Sequence, residues 1–178
     1  MDQKQKIVLF EYFLKKLVDW FCDYYRIAVE DFNSHPKNDL SKLKAIKLHF
    51  FACSTSEDAL EIFDDFRAMP YGHVESDVYN SLDSLQYVRL TNSKLEILNW
   101  DTLIMIENDS IPIIDEAVES LKDRNFDLIS FSPFALVELS HKWFSWQYNF
   151  NQAKNIGIYS KPISTELISR EPKLYSLY

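Results

Sequence analysis

Four histidines, two cysteines and several clustered carboxylates are the side chains here with the means to do chemistry. Zinc hydrolysis needs paired ligands on one face of a helix, or cysteines two to four positions apart. His35, His49, His73 and His141 form no such pair, and Cys22 and Cys53 are far apart in sequence. A cysteine nucleophile needs a lowered pKa and a positioned base. Cys22 lies between Phe21 and Asp23, and Cys53 follows Phe51-Ala52, so both read as packing thiols. A phosphate-cradling loop needs several glycines, and the chain has two, Gly72 and Gly157. Asp64-Asp65 has the functional groups for acid–base work, but neighbours in sequence point apart. What remains for catalysis is a hydrolase using His73 or His141 with an acidic partner. No metal or organic cofactor is expected.

The setting for these residues is a 178-residue chain, 47% hydrophobic and 15% aromatic, enough for a core without disulfide staples. Scarce glycine favours helices over hairpin-rich sheets. The start MDQKQK lacks the pattern of a signal peptide, and no 18-residue apolar run occurs, so a cytoplasmic protein with no membrane partner is expected. Net charge is −8 and uneven. Glu57–Asp83 holds eight acids against Arg67, and Asp101–Asp127 holds eight against Lys122 and Arg124. Such a surface repels phosphate, which disfavours general nucleic-acid binding, and attracts basic partners.

The positioning elements read as mainly α, in one helical domain spanning 1–178. Ile7, Phe10, Leu14, Leu17, Phe21, Tyr24 and Ala28 draw one stripe on a helix from Lys4 to about Phe32, capped by Asp2 with Gln5. Pro36 breaks the chain before a second helix from Asp39 or Leu40 to Cys53. Ser56 caps a short turn to Phe63. Residues 66–74 are the least regular stretch, with helix resuming near Glu75. Val88, Leu90, Leu95 and Ile97 alternate around Asn92-Ser93, which fits one small β-hairpin or frayed helix within 87–100. Helices then open at Ser110 and at Ser132-Pro133, and a last one runs from Ser164 to Arg170.

Three pieces fall in a telling order: Leu43-Lys44-Ala45-Ile46-Lys47-Leu48-His49-Phe50-Phe51-Ala52, then Phe63 through Tyr79 with Tyr71-Gly72-His73-Val74 at its centre, then Leu139-Ser140-His141-Lys142-Trp143 with Trp146 behind. Over about 40–146 this resembles the Panacea domain, the family of the SocA-like antitoxins. Tyr71-Gly72-x-Val74 with Tyr79 is the specific part of the likeness. The chain departs from the pattern at His73, where the family usually has proline, and at Met69-Pro70, where it has tryptophan plus one residue. The resemblance implies an α-rich fold without a known catalytic centre. It also implies an antitoxin that neutralises a cognate toxin by direct contact, or an adaptor that delivers the toxin to a protease.

The residues place the contact at Tyr71, Gly72, His73 and Val74, with an acidic rim of Asp64, Asp65, Glu75 and Asp77. Aromatic tips supply affinity and charges steer a basic toxin. The bland alternative for Tyr71-Gly72 is a structural corner that locks two helices. His141, Trp143 and Trp146 read as core or its edge.

Overall fold

The computed structural model describes all 178 residues. Helix α1 runs Gln3–Tyr25, with the Asp2 carboxylate accepting from the Gln5 N–H at 2.8 Å. It stops seven residues short of the expected Phe32. Arg26 takes a left-handed conformation (φ 54°) and its N–H bonds the Cys22 carbonyl. Continuing would have set Glu30 and Asp31 at the negative end of the helix dipole; instead they sit in a 3-10 turn over Val29–Asp31. Phe32 still reaches the core from that turn.

Helix α2, Lys42–Cys53, is capped by Ser41 and buried from Lys44 onward, so it forms the centre of the molecule. Its His49 ring meets Phe10 and Phe13 of α1 edge-on at 5.1 Å. Helix α3 spans Glu57–Ile62 with Ser56 as its cap. The next stretch corrects the sequence reading: the irregular 66–74 segment is a β-hairpin. Strand β1 (Phe66–Met69) pairs antiparallel with β2 (Gly72–Glu75), from Phe66↔Glu75 at the base to Met69↔Gly72 at the tip. The alternation of buried Phe66 and Ala68 with part-exposed Arg67 and Met69 is a strand's period of two, too short to recognise in sequence.

Helix α4 (Ser76–Asn80) follows, with the Glu75 carboxylate as its cap. Strands β3 (Val88–Leu90) and β4 (Leu95–Ile97) form a second hairpin, the one that alternation within 87–100 allowed. Helices α5 (Trp100–Ile104), α6 (Ile111–Arg124), α7 (Pro133–His141) and α8 (Phe144–Asn155) lead to strand β5 (Lys161–Pro162) and helix α9 (Thr165–Arg170). Helices α5 and α8 have no counterpart in the sequence reading. Strand β5 adds to the free side of β1, giving a three-stranded sheet in the order β2-β1-β5. The fold is thus mainly α, with two small antiparallel sheets. No helix is long and apolar enough to cross a membrane.

One connected cluster of 43 buried residues runs from Leu9 to Tyr175, so the chain's last segment belongs to the same core as its first helix. That segment crosses the surface without regular structure. Trp143 Nε1 donates to the Leu174 carbonyl at 3.0 Å, and the Tyr175 hydroxyl meets Ser54 Oγ at 3.0 Å.

Candidate functional site

Every predicted contact residue lies on or beside the β1–β2 hairpin, but the hairpin separates them into two groups. Tyr71 is at the tip, and the acids are at the base, about 10 Å away along a strand rising some 3.3 Å per residue.

At the base, three acids converge on one lysine: Glu75 is buried, the Asp77 side chain is part-exposed and that of Asp64 is 64% exposed. Lys6 from α1 is 2% exposed, and its ammonium bonds Asp77 at 2.7 Å, Glu75 at 2.8 Å and Asp64 at 2.9 Å. Burial alone would lower the Lys6 pKa, but three carboxylates outweigh it and hold the group above its ordinary value. The hydrogen bond from Lys6 in turn lowers Asp64. The oxygens of these three acids lie within 4.8 Å of one another, as metal ligands would; the ammonium already occupies their shared centre. Asp65 pairs with Arg67 at 3.3 Å. The predicted acidic rim is therefore an ion cluster around Lys6, closed on the Glu75 side and open to solvent at Asp64, and it lies at the opposite end of the hairpin from Tyr71. Much of the acidic blocks is similarly engaged: Asp83 pairs with Lys42, and Asp115 with Lys16.

In the middle of the hairpin, His73 is completely buried, so it is not the presented ring that the sequence suggested. It stacks on Phe50 with ring centroids 3.7 Å apart. Its Nδ1 meets Ser140 Oγ at 2.8 Å and its Nε2 meets Ser145 Oγ at 2.7 Å. Glu171 accepts from the Ser145 backbone N–H at 3.0 Å. Burial, then the nearby Lys47, holds the His73 pKa well below its usual value. Lys47, also fully buried, donates to the His73 carbonyl at 2.5 Å and is pushed by burial down to about 7. Serine, histidine and carboxylate in series resemble a hydrolytic relay, yet Ser140, Ser145 and His73 have no solvent-exposed surface. The chain of hydroxyls ties β2 to α7 and α8.

Gly72 explains itself here. Its φ is +98°, and a Cβ would lie 2.3 Å from Ser140 Oγ and 3.1 Å from Lys47 Nζ. Only glycine combines that backbone with that approach. Val74 is 6% exposed and packs in the core. Gly72 is thus a structural corner, as the alternative reading had it, but of a hairpin seated on α2 and α7 and not between two helices, and His73 and Val74 are buried with it.

Tyr71 differs. Two consecutive carbonyls entering the turn are bonded by ring N–H groups: Trp146 Nε1 donates to Met69 O at 2.8 Å, and His141 Nε2 to Pro70 O at 3.1 Å. Since a carbonyl only accepts, His141 carries its proton on Nε2. Held this way, the turn projects Tyr71 into solvent, 58% exposed. Its ring meets Phe134, 65% exposed at the start of α7, at 6.5 Å. His141 stacks on Trp146 at 3.8 Å, and Trp146 on Phe150 at 4.9 Å. A ring pair (Tyr71–Phe134) and a ring stack (His141–Trp146–Phe150), joined through the His141 bond to the Pro70 carbonyl, thus make a discontinuous ladder across the hairpin tip, α7 and α8.

Sequence reasoning placed Tyr71 here and put Trp146 at the core's edge, where it lies. It missed Phe134 and Phe150. The available signal was the run Trp143-Phe144-Ser145-Trp146-Gln147-Tyr148-Asn149-Phe150, whose aromatics recur at four-residue steps. Away from the hairpin, a groove of ≈ 460 Å³ between α1 and residues 81–87 contains Glu11. That carboxylate is already bonded by the Gln86 and Tyr87 backbone N–H groups.

No protein-family model, curated protein or solved structure matches the chain. The functional reading therefore rests on the geometry and on the motif resemblance.

Proposed function

We propose that this protein is an antitoxin that neutralises a cognate toxin by direct binding, and that the ring ladder around Tyr71 is the contact surface. The observation that carries the binding half of this reading is the ladder itself. Exposed aromatics are what protein-docking surfaces are enriched in; Tyr71 and Phe134 are exposed, the other three rings are part-exposed, and ring N–H groups bond the turn that carries Tyr71. The antitoxin half comes from the resemblance of Tyr71-Gly72-x-Val74, with Leu139-Ser140-His141, to the Panacea pattern. Both motifs meet at this surface: the Gly72 corner rests on Ser140, and His141 bonds the turn.

The experiment is co-expression with proteins encoded beside this chain, scored by growth rescue and co-purification. The reading expects one neighbour to be toxic alone, harmless with the wild type, and toxic again with a folded Tyr71→Ala, Phe134→Ala variant. A toxic neighbour neutralised equally well by that variant sinks the contact surface, and no toxic neighbour at all sinks the antitoxin reading. Toxin levels in a protease-deficient host then separate simple neutralisation from delivery to a protease. A toxin that accumulates there while bound identifies the adaptor mode.

A further inference from the structure

We infer that the outer face of α8, continuous with the ladder, docks an acidic, aromatic- or leucine-bearing segment of the partner protein. This rests on the reading of the ladder as a docking surface, and it reverses the charge expected of that partner from sequence.

The argument starts from where cations are left free. The protein carries 27 acidic and 19 basic residues, and about half of the cations find a carboxylate within the fold. Lys15 pairs with Asp19, Lys16 with Asp115, Lys42 with Asp83, and Lys122 with Asp23 and Glu119. Helix α8, Phe-Ser-Trp-Gln-Tyr-Asn-Phe-Asn-Gln-Ala-Lys-Asn, contains no acid. From Phe134 to Pro162 the only carboxylate is Glu138, against Lys142, Lys154 and Lys161. Lys154 Nζ stands over Phe150 at 6.0 Å and Lys161 Nζ over Tyr148 at 5.9 Å, with no carboxylate paired to either. This is a locally positive region on a protein of net charge −8.

The rings and lysines are also ordered. Trp146, Phe150 and Lys154 follow one another at four-residue steps along one side of α8, continuing the ladder. Phe144 and Tyr148, stacked at 5.6 Å and both about half exposed, run along the other side toward Lys161. Between them lie the exposed amides Gln147, Asn151 and Asn155. Two aromatic rows, each ending in a free ammonium, flank a polar strip. A segment lying along that strip would place apolar side chains on the rings and carboxylates at the lysines. The adjoining sheet edge does not offer an alternative by strand addition. Pro162 pairs opposite Arg67 while Ile163 N–H bonds Phe66 O, so the outward position on β5 lacks a donor.

The test uses the full chain and three fluorescein-labelled probes: a peptide of glutamates interspersed with leucine and tryptophan, the same peptide with lysines for glutamates, and oligothymidylate. Anisotropy should show the acidic peptide binding, weakening as salt rises, and the lysine peptide not binding. Lys154→Glu with Lys161→Glu should weaken the acidic peptide roughly tenfold or more. Both side chains lack carboxylate partners, so the fold should survive, checked by thermal melting. Phe144→Ala with Tyr148→Ala should weaken it at all salt concentrations. Equal binding of both peptides, or no effect of the lysine reversal, overturns the inference. Tighter binding of oligothymidylate overturns it in favour of a nucleic-acid platform. The antitoxin reading fails separately. If a neighbouring toxin needs Tyr71 but is not displaced by the acidic peptide, the function stands and this inference falls. If the peptide binds as expected and no neighbour is toxic, the docking face stands without the antitoxin.

Discussion

At the base of the β1–β2 hairpin, one buried ammonium gathers three carboxylates, one of them buried and two reaching solvent. At the tip, four residues along each strand, the turn carbonyls are bonded by ring N–H groups and Tyr71 stands in solvent. The base is strongly polar and built into the fold; the tip is mostly aromatic and is the contact surface proposed above. Charge density in sequence is thus a poor guide to a docking surface, because oppositely charged residues can be folded onto one another.

The sharpest way to break this comparison is at the base. Lys6→Met leaves Glu75 buried beside a lost partner, which should cost about 3–5 kcal/mol of stability in denaturant titration. Ladder-dependent binding, measured well below the melting point, should be intact. A loss under 1 kcal/mol would show that the cage is solvated and free to serve a partner. The glycines give a second contrast. Gly72→Ala meets both a left-handed backbone and Ser140, so about 3 kcal/mol of destabilisation is expected. Gly157→Ala has φ +74° but open space around it, and should cost only about 1 kcal/mol. Equal melting shifts would remove the case for a locked corner.

At the tip the expected effect moves from stability to binding. Tyr71→Ala should weaken toxin binding by about 2 kcal/mol while shifting stability by no more than about 0.5 kcal/mol. A variant that melts early and loses binding only through unfolding would make Tyr71 a corner residue like Gly72.

Acid titration sharpens the contrast between buried and exposed rings. His73 is held well below its usual pKa by burial and Lys47, and His49, by burial and Lys6, is pushed down to about 3. Below about pH 6.5 the unfolded chain takes up these protons and the native state does not. Stability therefore falls as pH drops, and each histidine contributes about 1.4 kcal/mol per pH unit. His49→Phe, placed among Phe10, Phe13 and Phe63, should flatten that slope in melts between pH 6 and pH 4. An unchanged slope would mean that His49 is not held neutral. The smallest effect should come from Asp65→Asn, which removes one part-exposed pair with Arg67. A change within about 1 kcal/mol in stability is expected, with no change in binding; weakened, salt-dependent binding would restore the acidic rim.

Helices with a long apolar stripe or a strong start signal are legible in the residues alone: the α1 stripe, the Ser56 cap and the Ser132-Pro133 start are all within-segment signals. The Ser41 cap of α2 and the Asn99 cap of α5 are equally local but have no counterpart in the sequence reading. The sequence also singled out the Gly72 corner, because scarce glycine marks a backbone that no other residue tolerates. Only the tertiary structure decided the rest. Strand β1 has four residues, and its period of two acquires meaning only once β2 and β5 pair with it. His73 lies beside an exposed tyrosine in sequence, yet the pleat and the Ser140 and Ser145 hydroxyls turn it inward. The acids around residue 70 became a cage because Lys6, about sixty residues earlier, folds back among them. The ladder is assembled from the tip of one hairpin and the faces of two later helices. Interactions within one turn of helix are written in adjacent residues; which charges cancel and which rings converge depends on long-range packing.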